Sequence, residues 1–240
     1  AEKSKKLNPF SRNGLLVLPK FLNFYPTEIN EVKFYTEFYQ RGTFDKYLVR
    51  YLITNEAGVF VEGKLKEYVN NLVAEQGGIC CYCERELLEN DLHTEHVKPQ
   101  SKFPELQLEY TNLLCSCQLE LKRMEQNHCA MNKKDWFDER LFISPLNPDC
   151  QSKFKYTFDG YIQPCQADDL AAKTTIKKLN LNVPKLVAMR RSAIGVFIDA
   201  DLSLEEVNQF AQGYLEPKEN KFNPFYTSIQ NLFISDRKCL

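Results

Sequence analysis

Six of the nine cysteines and all three histidines of this 240-residue chain fall between positions 80 and 129. The cluster reads Cys80-Cys81-Tyr82-Cys83, His93-Thr94-Glu95-His96, Cys115-Ser116-Cys117 and His128-Cys129. Such crowding is what a metal site produces, and it constrains the fold strongly: whatever local elements form, they must deliver thiolates to one point. Cys80 and Cys83 have the spacing of a zinc-knuckle half-site, whose turn aims two sulfurs at an ion about 2.3 Å away. Tyr82 and the preceding Gly77-Gly78 suit that turn. Cys117 and Cys129 are the choice for the second half-site, closing a four-cysteine tetrahedron, although eleven residues intervene between them. His128 can take the place of Cys129, and Cys81 or Cys115 that of a neighbour. A structural zinc would supply about 10–16 kcal/mol of folding free energy. The plainer alternative is a group of buried, reduced thiols.

Composition sets the surroundings. The chain is 43% hydrophobic and 12% aromatic, ample for a packed core. Its net charge of −1 removes any global basic field, so nucleic acid would have to be bound by a local patch or with a partner's help. No run approaches the roughly 18 apolar residues of a membrane span. The charged start, Ala1-Glu2-Lys3-Ser4-Lys5-Lys6, is not followed by a signal-type apolar stretch. A cytoplasmic protein is therefore expected, with cysteines serving as metal ligands or reduced thiols. Cys150, Cys165 and Cys239, outside the cluster, read as reduced structural thiols.

Three stretches are expected. Residues 1–77 look helical, with apolar stripes over 26–38 and 43–52, then a helix from about Gly63 to Glu75 that stops at Gly77-Gly78. These stripes are core or a docking surface for a partner. Residues 78–137 are irregular and hold the chemistry. Residues 138–240 contain a hairpin turning at Asp159-Gly160 and then helices. The helices run over 170–179, over 184–198 from a first-turn proline, and onward from the capping box at Ser203-Leu204-Glu205-Glu206; an apolar segment from Phe225 to Ile234 follows. The pairs Lys177-Lys178 and Arg190-Arg191 read as solvated helix faces. The fold class is α+β, mostly α.

Between the cysteine groups lies Glu95-His96, followed by Val97-Lys98-Pro99. Adjacent strand residues face opposite sides, but a strand that turns into a proline can bring both to one rim. A carboxylate holds hard divalent cations, and an imidazole is the natural base for activating water. A purely structural zinc module has no need of this pair.

The order Cys-x-x-Cys, Glu-His-x-x-Pro, Tyr110-x-Asn112-Leu113-Leu114, a second cysteine group and Lys133-Lys134 resembles the HNH endonucleases of the zinc-stapled ββα-metal type. Further segments, Ser144-Pro145-Leu146-Asn147-Pro148-Asp149-Cys150 and Thr175-Ile176-Lys177-Lys178-Leu179-Asn180-Leu181-Asn182, resemble the PtuB branch, the HNH subunits of Septu anti-phage systems, whose relatives are also attached to retrons. The resemblance runs from about 78 to 192 and implies a ββα-metal core with helical flanks. It implies His96 as general base, Glu95 as a ligand of a catalytic Mg²⁺ or Mn²⁺, Asn112 as the residue that fixes the His96 loop, and Cys80, Cys83, Cys117 and Cys129 around Zn²⁺. It also implies a PtuA-type SMC-like ATPase partner, a DNA or RNA substrate, and a retron reverse transcriptase with its msDNA as a further associate. The sequence departs from the pattern at Ala130, where many HNH proteins carry a third metal ligand; Asn132, or else His128, is the substitute. His93 reads as a second hydrogen-bonding residue or a solvated strand residue.

Two other chemistries compete with this one. His93-Thr94-Glu95 matches the string of nucleobase deaminases, but their Pro-Cys-x-x-Cys does not follow it. A cysteine nucleophile is formally available, yet no thiol is singled out. The main alternative is a non-catalytic zinc adaptor that recruits an enzyme. It accounts for the cysteines and leaves Glu95, His96 and Asn112 unexplained.

Overall fold

The computed structural model describes residues 62–106, 109–118, 126–198 and 202–234. The helices expected over 26–38 and 43–52 lie outside them. Helix α1 (Glu62–Glu75) agrees with the expected span. It stops where two glycines take positive φ, +64° at Gly77 and +76° at Gly78. Their N–H groups donate back to the carbonyls of Ala74 and Val73, closing the end of the helix. A Cβ on Gly77 would also lie 2.1 Å from the Phe222 ring, so glycine is required there twice over.

Strands β1 (Leu92–His96) and β2 (Leu113–Cys117) pair antiparallel, with His96 opposite Leu113 and Leu92 opposite Cys117. Every residue of β2 is buried. Both α1 and the short α2 (Cys129–Lys133) pack against it. The strand order and the helix that follows make a small ββα unit. A second hairpin, β3 (Phe154–Tyr156) and β4 (Ile162–Pro164), turns at Asp159-Gly160, with Gly160 at φ +91°.

Helix α3 (Leu170–Lys178) is opened by the Asp169 carboxylate, which accepts from the Ala172 N–H. Asn180, at φ +51°, ends it in the left-handed conformation that asparagine tolerates. Helix α4 (Pro184–Gly195) stops three residues short of the expected Ile198. Helix α5 (Leu204–Leu215) begins on the reciprocal Ser203–Glu206 capping box. Helix α6 (Tyr226–Ile229) runs into a π-helical turn at Gln230–Ile234. The fold is thus mixed α/β, helices around two small sheets.

One core cluster takes in Leu72, Leu113, Leu114, Phe154, Ile176 and Leu186, so described parts of all three expected stretches share it. A smaller cluster of Ile194, Phe197, Ala211 and Ile229 joins α4, α5 and α6. Two expectations are corrected. Arg190 is not on a solvated face: it is 2% exposed and donates to the carbonyls of Gly160 and Leu181. The short distance between the DG turn and α4 traps it there. Cys165 is in a disulfide and is not a reduced thiol. Lys177, Lys178 and Arg191 are exposed, as expected. Among the described residues no helix is long and apolar enough to cross a membrane.

Candidate metal centre and the His96 loop

Cys80, Cys83, Cys117 and Cys129 are buried, and their sulfurs lie within 4.8 Å of one another. Cys83 Sγ and Cys117 Sγ are 3.6 Å apart. A tetrahedral ion with bonds near 2.3 Å needs sulfurs roughly 3.8 Å apart. The four cysteines can therefore hold a metal ion with little movement. The knuckle turn is closed by Glu84 N–H donating to the Cys80 carbonyl, and Cys117 N–H points at Cys80 Sγ at 3.5 Å. Such N–H donors steady a thiolate.

The eleven-residue gap is bridged by Gln118. Its Nε2 donates to the Gln126 carbonyl, and its Oε1 accepts from the His128 N–H at 2.9 Å, bringing the two ends of the intervening segment together. Leu179 then takes the Cys129 N–H at 2.7 Å, and Asn180 donates to the Asn127 carbonyl at 2.8 Å. Gln76, fully inside, clamps β2 from the other side by bonding both the N–H and the carbonyl of Cys115. None of these glutamines carries a signal in the sequence beyond being polar next to a cysteine motif.

Burial opposes ionisation of thiols, and at Cys129 it combines with hydrogen bonds to Cys117, Cys80 and Cys83 to push the pKa well up. At Cys80 burial also pushes up, but bonds from Cys117, Cys129, Cys81 and Cys83 overcome it and the pKa falls well below the ordinary value. A dication among the four sulfurs would favour the thiolate form against burial. Cys115 stays outside the cluster, its thiol pushed up to about 12 by burial. Cys81 is likewise outside. His128 is fully buried, with Nδ1 3.1 Å from Cys129 Sγ and 3.9 Å from Cys117 Sγ, so it borders the sulfurs.

His96 ends β1, half-buried, and the following loop is fixed by Asn112. The Asn112 Oδ1 accepts from Lys98 N–H at 2.8 Å, and its Nδ2 donates to the carbonyls of Lys98 at 3.0 Å and Leu106 at 3.1 Å. The Asn112 carbonyl also accepts from Val97 N–H. Asn112 is thus a positioning residue for the loop, all of its amide hydrogen-bonding spent on main chain. Beside it opens a cleft of about 350 Å³ lined by Val97, Lys98, Asn112, Phe137, Glu139 and Ser144 among others. Lys98 sits at its rim, over the rings of Phe103 and Phe137 and 3.5 Å from Glu139. His93 lies across from Ser116 on the same hairpin, and burial lowers its pKa.

Glu95 is buried, on the face of β1 that alternation turns away from His96. Its Oε1 accepts from Tyr82 OH at 2.8 Å and lies 2.8 Å from the Lys133 ammonium. Burial, then the Glu95 charge, holds the Tyr82 phenol well above its ordinary pKa, so Tyr82 stays a donor. Asn132 points elsewhere, donating to the Lys178 carbonyl at 2.8 Å. Glu95 is therefore not gathered with either candidate for the second ligand of a catalytic Mg²⁺ or Mn²⁺: Glu95 meets Lys133, Asn132 meets Lys178, and His128 borders the sulfurs. Among the described residues, the four cysteines are the one group of three or more His, Cys, Asp or Glu whose ligand atoms converge. The residue that α2 delivers to Glu95 is Lys133, which the spacing alone did not single out.

No family model matches the chain. Over 140 residues, 55% of its length, the chain is 34% identical to a protein of Vibrio cholerae serotype O1 biovar El Tor named "Retron Vc95 putative HNH endonuclease". The match covers 66% of that relative, just under two thirds of its length. The chain is thus similar to a retron-associated protein whose name is that of an HNH endonuclease.

Proposed function

We propose that the chain is a metal-dependent HNH endonuclease that cleaves phosphodiester bonds of DNA or RNA, with His96 as the general base toward water and Asn112 holding its loop. The observation that carries this reading is the 34% identity over 140 residues to the Vibrio cholerae protein. The geometry supports it in three ways. A half-buried histidine ends β1 directly before Val97 and Lys98, which line an open cleft with Phe137 and Phe142, a lysine and two aromatic rings suited to phosphate and base. Its loop is fixed by an asparagine, which lowers the cost of presenting the base. The four cysteines, taken here to hold Zn²⁺, pin α2 against β2, the strand paired with the one that His96 ends.

A catalytic Mg²⁺ or Mn²⁺ remains part of the proposal, supplying charge to neutralise the phosphorane oxygens. The candidate ligands Glu95, Asn132 and His128 do not fit a common ion as placed, and no step is derived through one. The resemblance further supports a cytoplasmic defence role with a PtuA-type SMC-like ATPase, or with a retron reverse transcriptase and its msDNA. The alternative, a zinc adaptor without activity, draws on the same dispersal of ligands.

Cleavage of plasmid DNA and of RNA, with Mg²⁺ or Mn²⁺ and with the ATPase added, separates the two. The endonuclease reading expects cleavage by wild type and a loss of about 10²–10⁴-fold in His96→Ala. Equal behaviour of the two proteins leaves the adaptor.

A further inference from the structure

Lys133 is a fully enclosed lysine, 2% exposed, at the end of a helix whose first residue is one of the four cysteines. Its ammonium reaches two groups of β1 at once: Glu95 Oε1 at 2.8 Å and the His96 main-chain carbonyl at 2.9 Å. The Phe142 ring lies 5.8 Å away. Tyr82, inside the Cys80–Cys83 turn, donates to the same carboxylate oxygen. Both half-sites of the cysteine cluster therefore send a side chain to Glu95, and one of them also holds the main chain of His96.

A buried carboxylate needs a counter-charge and hydrogen-bond donors, and Glu95 has both. A divalent cation brought to the same carboxylate would meet the ammonium at ion-pair range in a place with little water to screen it. The lysine has no free route to solvent at 2% exposure. The two functions, counter-ion of Lys133 and ligand of a dication, compete for one oxyanion.

We propose that Lys133 is a positioning residue for His96: it takes Glu95 as its counter-ion and fixes the end of β1, so that Glu95 anchors the site and does not ligate a divalent cation. This rests on the endonuclease reading of His96.

The test measures cleavage by the full chain, with its natural partner where activity requires one, across a titration of Mg²⁺ or Mn²⁺. The variants are Glu95→Gln, Lys133→Gln, the two together, and His96→Ala. Zinc content and thermal melting are recorded for each. Each single variant leaves a buried charge unpaired and is expected to slow cleavage at least about tenfold. The double variant replaces the ion pair by two amides that can still bond each other and the His96 carbonyl, though one bond shorter in reach. It is expected to regain most of the lost rate, with the half-maximal metal concentration unchanged throughout. A double variant as inactive as Glu95→Gln, or a half-maximal metal concentration raised in the Glu95 variants alone, overturns the proposal and makes Glu95 a metal ligand. Should a single variant fail to fold, Tyr82→Phe removes one donor to Glu95 and is expected to slow cleavage a few-fold at the same half-maximal metal concentration; a shifted metal curve there also overturns it. Equal cleavage by wild type and His96→Ala overturns the endonuclease reading, and this proposal with it; a dead His96→Ala beside an unaffected Lys133→Gln overturns this proposal alone.

Discussion

Arg190→Met is the most direct probe of how α4 is tied to the β3–β4 turn and to the end of α3. Arg190 is 2% exposed and donates to the carbonyls of Gly160 and Leu181, with Asn182 Oδ1 at 3.5 Å. Methionine keeps the stem and removes the guanidinium. Asn182 Oδ1 retains the Ile162 N–H, so it is not orphaned. The two carbonyls lose their donor in a place water does not reach, at about 1–3 kcal/mol each. Part of this is returned, because an arginine no longer has to be desolvated. A net loss of about 3 kcal/mol is expected. With a urea m-value of about 1–3 kcal/mol/M, the midpoint should fall by roughly 1–3 M. Arg191→Met is the control: the neighbouring residue is exposed and should move the midpoint little. Equal midpoints for the two variants would refute the burial argument, since it is the guanidinium of the inner arginine that bonds the Gly160 carbonyl.

Two residues give further outcomes, one in the cysteine cluster and one beside it. Cys83→Ser should lose both the metal and the cooperative melt, because a tetrahedral zinc contributes about 10–16 kcal/mol to a domain of about 5–15 kcal/mol total stability; metal analysis beside calorimetry checks it, and a metal-free variant with a wild-type melt contradicts it. Burial raises the Glu84 carboxyl above its ordinary 4.5, against hydrogen bonds from the Thr227 side chain and N–H. A raised carboxyl stabilises the fold fully below its unfolded pKa and loses that contribution as pH rises through the folded value, so the stability of wild type minus that of Glu84→Gln should fall as pH rises from below the ordinary carboxyl value through the raised one. Urea midpoints over that range decide it, and a difference that grows with pH is the wrong sign.

What could be read in the sequence follows from which signals are local. The choice of Cys80, Cys83, Cys117 and Cys129 coincides with the converging sulfurs because thiolates gather only where a fold forces them to. The ends of α1, α3 and α5 were legible for the same reason: Gly77-Gly78, Asp169 and Ser203 act on their own neighbouring backbone. Arg190 was not legible, since helical period says only which face it is on, and the Gly160 turn that covers it lies 30 residues away. The same holds for Lys133 and Asn132. The two are adjacent in a short helix, and Lys133, not Asn132, reaches Glu95, because the orientation of α2 is set by contacts at Gln118, Leu179 and Asn180 that no pattern within 129–133 contains.

That dependence has a consequence for the segment 78–137, which holds all four cysteines, His96 and Asn112. Its second half-site is held from outside: the Leu179 carbonyl takes the Cys129 N–H, Asn180 bonds the Asn127 carbonyl, and the Lys178 carbonyl takes the Asn132 amide. Its first strand pair is held by Gln76 at Cys115, and its knuckle by Phe225 N–H and Thr227 at Glu84. At about 1 kcal/mol each these bonds total roughly 5 kcal/mol or more, comparable with the stability of a whole domain. The excised segment also loses the apolar cover of Leu72, Ile176 and Leu186, which belong to the same core. Metal alone can draw four thiolates together, but it does not fix which way α2 faces, and so does not bring Lys133 to Glu95. The segment 78–137 with zinc should therefore bind the ion yet show poorly dispersed amide resonances, whereas 62–234 should show a folded spectrum. A well-dispersed spectrum from the short segment, with Lys133 and Glu95 in contact, would mean that the cysteines alone determine the site and that the α3–α4 linker only decorates it.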